Sequence, residues 1–183
     1  MRALQHPHFR TYFTAIIALA ELAHLAFEHF NGGIVSHHIL NDRNLPSISN
    51  AFGIVLLPVL AWYLSGQVQQ RIAKDAKQAK RIVLCFFSAL VFGLALSTAF
   101  TLGQETVSGW LFKGMLLGAV FLPLYRAEIV FGFILGMTFT FGAILPSIIG
   151  TIVVLLSMLF QLIIWPALRT LFAKKGGGGT SSD

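Results

Sequence analysis

The 183-residue chain is 56% hydrophobic, 13% aromatic and only 11% charged, with a mean hydropathy of +0.77. Soluble domains carry about 25% charged residues, and so few charges cannot cover a soluble globule of this length. Composition therefore excludes a soluble enzyme, a disordered chain, a coiled coil and a disulfide scaffold, and leaves an all-α, polytopic integral membrane helix bundle whose first partner is the lipid bilayer. The net charge of +6 reads as a topology signal. No nucleic acid partner is expected, because no groove-reading motif or basic stripe with interleaved aromatics accompanies that charge.

A span needs about 20 mostly apolar residues, and six fit, in one domain over residues 1–173. The first covers residues 11–30, apolar apart from Glu21, His24, Glu28 and His29. Arg2, Arg10 and the small-residue run Ala18-Leu19-Ala20 imitate a secretory leader. The region before the apolar stretch is long and holds His6 and His8, however, which favours an uncleaved first helix. Residues 31–46 form a Gly-, Asn- and Pro-marked loop packing on the outer face, with room for a short interfacial helix, and Ser47 or Ser49 is placed to cap the next helix. The second span covers residues 48–64, with Pro58 inside and Trp62 and Tyr63 as an interfacial belt near its end. Residues 66–81 are the most polar stretch, a helical extension on or above the membrane. There Arg71, Lys74, Lys77, Lys80 and Arg81 are opposed by Asp75 alone.

The third span covers residues 82–102 and the fourth 108–125, followed by the polar break Arg126-Ala127-Glu128. The fifth covers 129–145, and the sixth runs from Pro146 to about Leu171, past Trp165 and Pro166. Residues 174–183 are a flexible Gly/Ser-rich tail. With six spans and both termini cytoplasmic, 11 of the 13 Lys and Arg residues fall inside, as the positive-inside rule demands. Arg43 and Lys113 fall outside, the latter snorkelling to the surface. The bacterial inner membrane is the expected location. Segments four and five are only about 17 residues each, at the short end for a span, so a short or re-entrant pair around Arg126 and Glu128 is the alternative. Gly114-x-x-x-Gly118 and Gly132-x-x-x-Gly136 let helix backbones approach closely, within the chain or in a homo-oligomer or larger membrane complex. No internal repeat is visible.

The polar residues that could carry chemistry concentrate in the first span and the loop after it. Glu21, His24 and Glu28 share one helical face within about 60°. Ionisable groups at membrane depth face the bundle interior or a water-filled cavity. Glu-x-x-His spacing lets one helix offer two metal ligands, and His37 and His38 could complete a nitrogen and oxygen shell suited to zinc, iron, manganese or copper. His29, Asn41 and Asp42 would orient those ligands from behind. The same residues could instead relay protons, since histidine titrates near neutral pH, or could only hydrogen-bond helices together. Arg126 and Glu128 are a second polar pair at the inner end, a charged turn or the closure of a pathway.

Enzymatic activity stays undecided. No zinc-protease, P-loop or nucleophile-elbow motif is present, and Ser36 and His37 are adjacent, so they do not face each other as nucleophile and base. Cys85 is the lone cysteine, a small core residue that excludes an all-cysteine zinc site. Only His24 lies deep in a helix, against the usual bis-His haem site, and no mid-span lysine in the last helix suits retinal. The function expected is a Glu/His cluster near the outer face that binds a metal ion or relays protons. It would serve small-solute or ion transport, or membrane-embedded metal-dependent chemistry. The alternative is a non-catalytic structural or assembly subunit in which the cluster only joins helices.

Overall fold

The computed structural model describes residues 4, 6, 8–38, 44 and 46–176, and of residues 37, 38 and 172–176 the backbone. The described chain is helical apart from one small β-ribbon. Helix α1 (Phe9–Phe30) leads to strands β1 (Ser36–His38) and β2 (Ser47–Ser49), then a short 3-10 turn (Asn50–Phe52) and α2 (Gly53–Lys74). Next come α3 (Gln78–Thr101), α4 (Glu105–Phe121), α5 (Ala127–Phe141), α6 (Ile144–Met158) and, through a π-helical turn (Leu159–Ile164), α7 (Trp165–Gly176). Four continuous helices are long and apolar enough to cross a membrane: Phe9–Phe30, Asn50–Lys74, Gln78–Thr101 and Ile144–Leu171. Helix α5 is apolar but has only 15 residues.

The described residues of the loop after α1 form a β-ribbon, and a short interfacial helix within residues 39–43 would lie outside the described residues. β1 and β2 pair antiparallel, with Ser36 opposite Ser49 and His38 opposite Ser47. Ser49 does cap, its Oγ accepting from Ala51 N at 3.2 Å, but it caps the 3-10 turn. The polar stretch after the second span is a helical extension, as expected, divided between two helices. α2 runs on to Lys74 and α3 begins at Gln78. Asp75 holds the corner, accepting from the Lys77 N–H at 3.0 Å and from Gln78 Nε2 at 3.3 Å.

Helix ends follow local chemistry. α4 stops at Phe121 because Pro123 forces Leu122 out of the helical region, and Leu122 is extended. The carbonyls orphaned there are met by side chains from the last helical stretch. Ser157 donates to Leu122 O (2.8 Å), and both Gln161 and Trp165 donate to Val120 O (3.0 and 2.9 Å). The π-helical turn that presents Gln161 lies directly before Pro166, whose ring cannot fit a regular α-turn. α5 ends at Gly142, at φ +66°, a conformation that disfavours any side chain.

The closest packing joins α3 to α5. A Cβ on Gly132 would overlap the Phe86 carbonyl, one on Gly136 the Leu90 carbonyl, and one on Gly93 would lie 2.7 Å from Phe133 O. Residue numbers rise together along this contact, so α3 and α5 run parallel with α4 returning between them. Gly132 and Gly136 are thus spent inside the chain, while Gly114 has open space where a side chain would be. Gly114 and Gly118 border an apolar cavity of about 410 Å³ between α3, α4, α5 and α6. α2 runs antiparallel to both α1 and α5, since Glu21 meets Gly53 and Arg10 meets Trp62 and Gly66, while Arg71 meets Glu128 and Asn50 meets Gly142. Each end of the bundle therefore holds one polar cluster. One lies by the β-ribbon and the other by the basic α2–α3 corner.

Candidate functional site at the ribbon end

The 3.6-residue period of α1 turns Glu21, Leu25 and Glu28 inward, and these are its buried residues. Glu21 is 3% exposed and Glu28 9%. His24 lies between the two carboxylates. Its Nδ1 is 3.6 Å from Glu21 Oε2 and its Nε2 is 3.5 Å from Glu28 Oε1. These separations are longer than ordinary hydrogen bonds. The imidazole lies against Phe139 of α5, ring centroids 5.2 Å apart, so its plane is set by an apolar neighbour while both nitrogens stay available.

The two carboxylates have different surroundings. Glu28 is fully engaged: Asn50 Nδ2 donates to Oε1 at 2.6 Å and the Val35 N–H donates to Oε2 at 3.1 Å. Asn50 N in turn donates to Val35 O at 2.9 Å. One carboxylate thereby joins the end of α1, the chain entering β1 and the turn before α2. Glu21 Oε1 has no hydrogen-bond partner and is buried. It rests against Gly53, where a Cβ would collide with it. Asn50 is fixed in the same way from the other side, since a Cβ at Gly142 would collide with its Oδ1. Glycine at 53 and at 142 is therefore what lets α2 and the α5–α6 turn close on the cluster.

Glu21, His24 and Glu28 come together on α1. His29 does not join them; it is exposed and its ring packs against Phe30 at 5.5 Å. The backbones of His37 and His38 lie in β1, and their side chains, with the whole of Asn41 and Asp42, lie outside the described residues. Among the described residues, no group of three or more His, Cys, Asp or Glu could hold a metal ion. The imidazole explains this, because its two nitrogens aim at opposite carboxylates and the donors do not converge on one point.

At the other end Glu128 is bound by a residue distant in sequence. Glu128 is 3% exposed and binds Arg71, whose Nη1 lies 2.8 Å from Oε1 and 2.6 Å from Oε2. Arg71 Nη2 also donates to Gln78 at 3.3 Å. Arg126 is the residue before α5, extended at φ −69° and ψ 135°, and half-buried. The Lys113 ammonium lies 5.2 Å from the centre of the Trp110 ring. Trp62 is mid-helix and takes the Arg10 guanidinium over its ring at 4.0 Å.

Asn50, Gly53, Gly142 and Arg71 carry these arrangements, and reading the sequence singled out none of them as site residues. A lone Asn at the threshold of an apolar run was the available signal for Asn50. Arg71 was hidden among five basic residues that read together as topology. Comparison with protein-family models, curated proteins and solved structures finds no match for this chain.

Proposed function

We propose that the chain is an integral membrane protein of six spans, with both termini cytoplasmic, in the bacterial inner membrane. Its Glu21–His24–Glu28 row relays protons at the outer end of the bundle, in ion or small-solute transport. The observation that carries this is the single imidazole with one nitrogen toward each of two buried carboxylates. A histidine so placed takes a proton at one nitrogen and releases one from the other. Glu21, with one oxygen unpartnered, is the group free to exchange, while Glu28 is held in place. Alternation of helix direction from α1 to α6 supports six spans. Helix α5 joins the two polar clusters although its 15 residues cover only about 22 Å. The positive-inside skew supports the orientation, and compactness supports the bacterial membrane.

The test is proton uptake into liposomes holding purified protein and a trapped pH dye, under an imposed potential. Wild type is expected to conduct, and His24→Gln or Glu21→Gln to abolish conduction while the protein still accumulates and melts normally. Equal flux with and without the protein rejects the relay. A near-stoichiometric transition metal in wild type, lost in His24→Ala, would replace it with the metal reading, whether for transport or membrane-embedded chemistry.

A second reading has its own observation. Glu28 bonded to Asn50 and Val35 supports a cluster that joins α1 to α2 in a structural or assembly subunit. Under that reading all substitutions in the row lower abundance and melting temperature together.

A further inference from the structure

A second, apolar crevice of about 230 Å³ lies at the basic end of the bundle, walled by Phe9 and Phe13 of α1, Leu64 and Val68 of α2, and Val83 and Phe87 of α3. It is open to the surroundings on the α3 side, where Val83 is 38% and Phe87 54% exposed. In a bilayer that opening faces lipid chains. Helical periodicity puts Lys77 and Lys80 on the same stripe as Val83 and Phe87, one and two turns closer to the helix start. Both lysines are exposed. The nearby acid, Asp75, spends its carboxylate on the Lys77 N–H and the Gln78 amide. The one carboxylate in the crevice wall, Glu128, is bound by Arg71, so it presents no free negative charge to a visitor.

We infer that this crevice is a site for an anionic phospholipid, one acyl chain between α1 and α3 and the headgroup phosphate on Lys77 and Lys80. Charge complementarity selects this occupant. An apolar slot on one stripe of α3, with two exposed lysines further along that stripe at the helix start, suits a ligand that is apolar along its length and anionic at its end. Basic pockets between membrane helices hold anionic headgroups in this way. The inference needs only that the chain lies in a bilayer, and it stands apart from the proton relay.

The experiment measures the melting temperature of detergent-purified full-length protein against added phosphatidylglycerol or phosphatidylcholine. Phosphatidylglycerol is expected to raise it by roughly 5–10 °C at a hundredfold excess over the dissociation constant, and phosphatidylcholine to leave it nearly unchanged. Lys77→Gln/Lys80→Gln removes the charge without touching the core, and Val83→Trp fills the crevice; each should erase the difference between the lipids. Equal shifts for the two lipids in wild type overturn the site. So does glycerol phosphate alone reproducing the rise, which would mark a simple anion site. Retention of the full phosphatidylglycerol effect in the double lysine variant, which keeps the test sound even if the tryptophan variant does not fold, also overturns it.

Discussion

At the scale of single residues, two buried carboxylates on one helix differ in what they accept. Glu28 has a donor on each oxygen; Glu21 has an oxygen with none. A buried polar group without a partner is destabilising. Glu21→Gln keeps the shape of the side chain and its unpartnered atom, so it is expected to leave the melting temperature nearly unchanged while proton flux falls, the pattern of a residue held for function. Asn50→Ala removes the amide from Glu28 and should cost about 1–3 kcal/mol, read as a lower melting temperature. The ion pair at the other end behaves differently. Removing the arginine, as in Arg71→Ala, leaves the Glu128 carboxylate buried without it and should cost about 3–5 kcal/mol, whereas Glu128→Leu leaves Arg71, 29% exposed, partly solvated and should cost less. Replacing both, as Arg71→Met with Glu128→Leu, should cost far less. A double-mutant cycle in chemical unfolding measures the difference.

At the scale of helices, two motifs that look alike in sequence have opposite surroundings. Gly132 and Gly136 bring α5 against the backbone of α3, where an added methyl overlaps a carbonyl. Gly136→Ala should force α3 and α5 apart and destabilise by about 1–3 kcal/mol. Gly114 borders open space, so Gly114→Ala keeps every contact and gains helix propensity, up to about 1 kcal/mol. Thermal unfolding of the two variants side by side checks the contrast. A fall for both would mean that the α4 glycines also meet a helix, in another copy or another protein.

At the scale of the whole molecule, the arrangement of ends makes a topological statement. In a Cys85→Ala background, single cysteines at Gln104, Lys77 and Leu122 sample the α3–α4 turn, the basic corner and the α4–α5 turn. For six spans, a membrane-impermeant maleimide added to intact cells should label position 104 and leave 77 and 122 unlabelled until the membrane is opened. Labelling of 122 from outside would make α4 and α5 a re-entrant pair and reduce the number of spans to four.

Much of this was legible without coordinates. A chain this poor in charge has no fold available except one whose surface faces lipid, and 20-residue apolar runs in lipid must be helices because no water satisfies an open backbone. The spacing of Glu21, His24 and Glu28 was equally readable, since residues on one helix keep fixed angular positions whatever packs around them. The partners were not readable, because they come from distant parts of the chain. Asn50 reaches Glu28 across 22 positions and Arg71 reaches Glu128 across 57, and local periodicity carries no information over such separations. The adjacency of Arg126 and Glu128 hid the distant arginine that Glu128 binds, while the Gly-x-x-x-Gly pairs of α4 and α5 were indistinguishable until the backbone of α3 closed on that of α5. Sequence determined the helices, their medium and one polar face. Tertiary packing alone decided which carboxylate is held, which is free, and which glycines are needed.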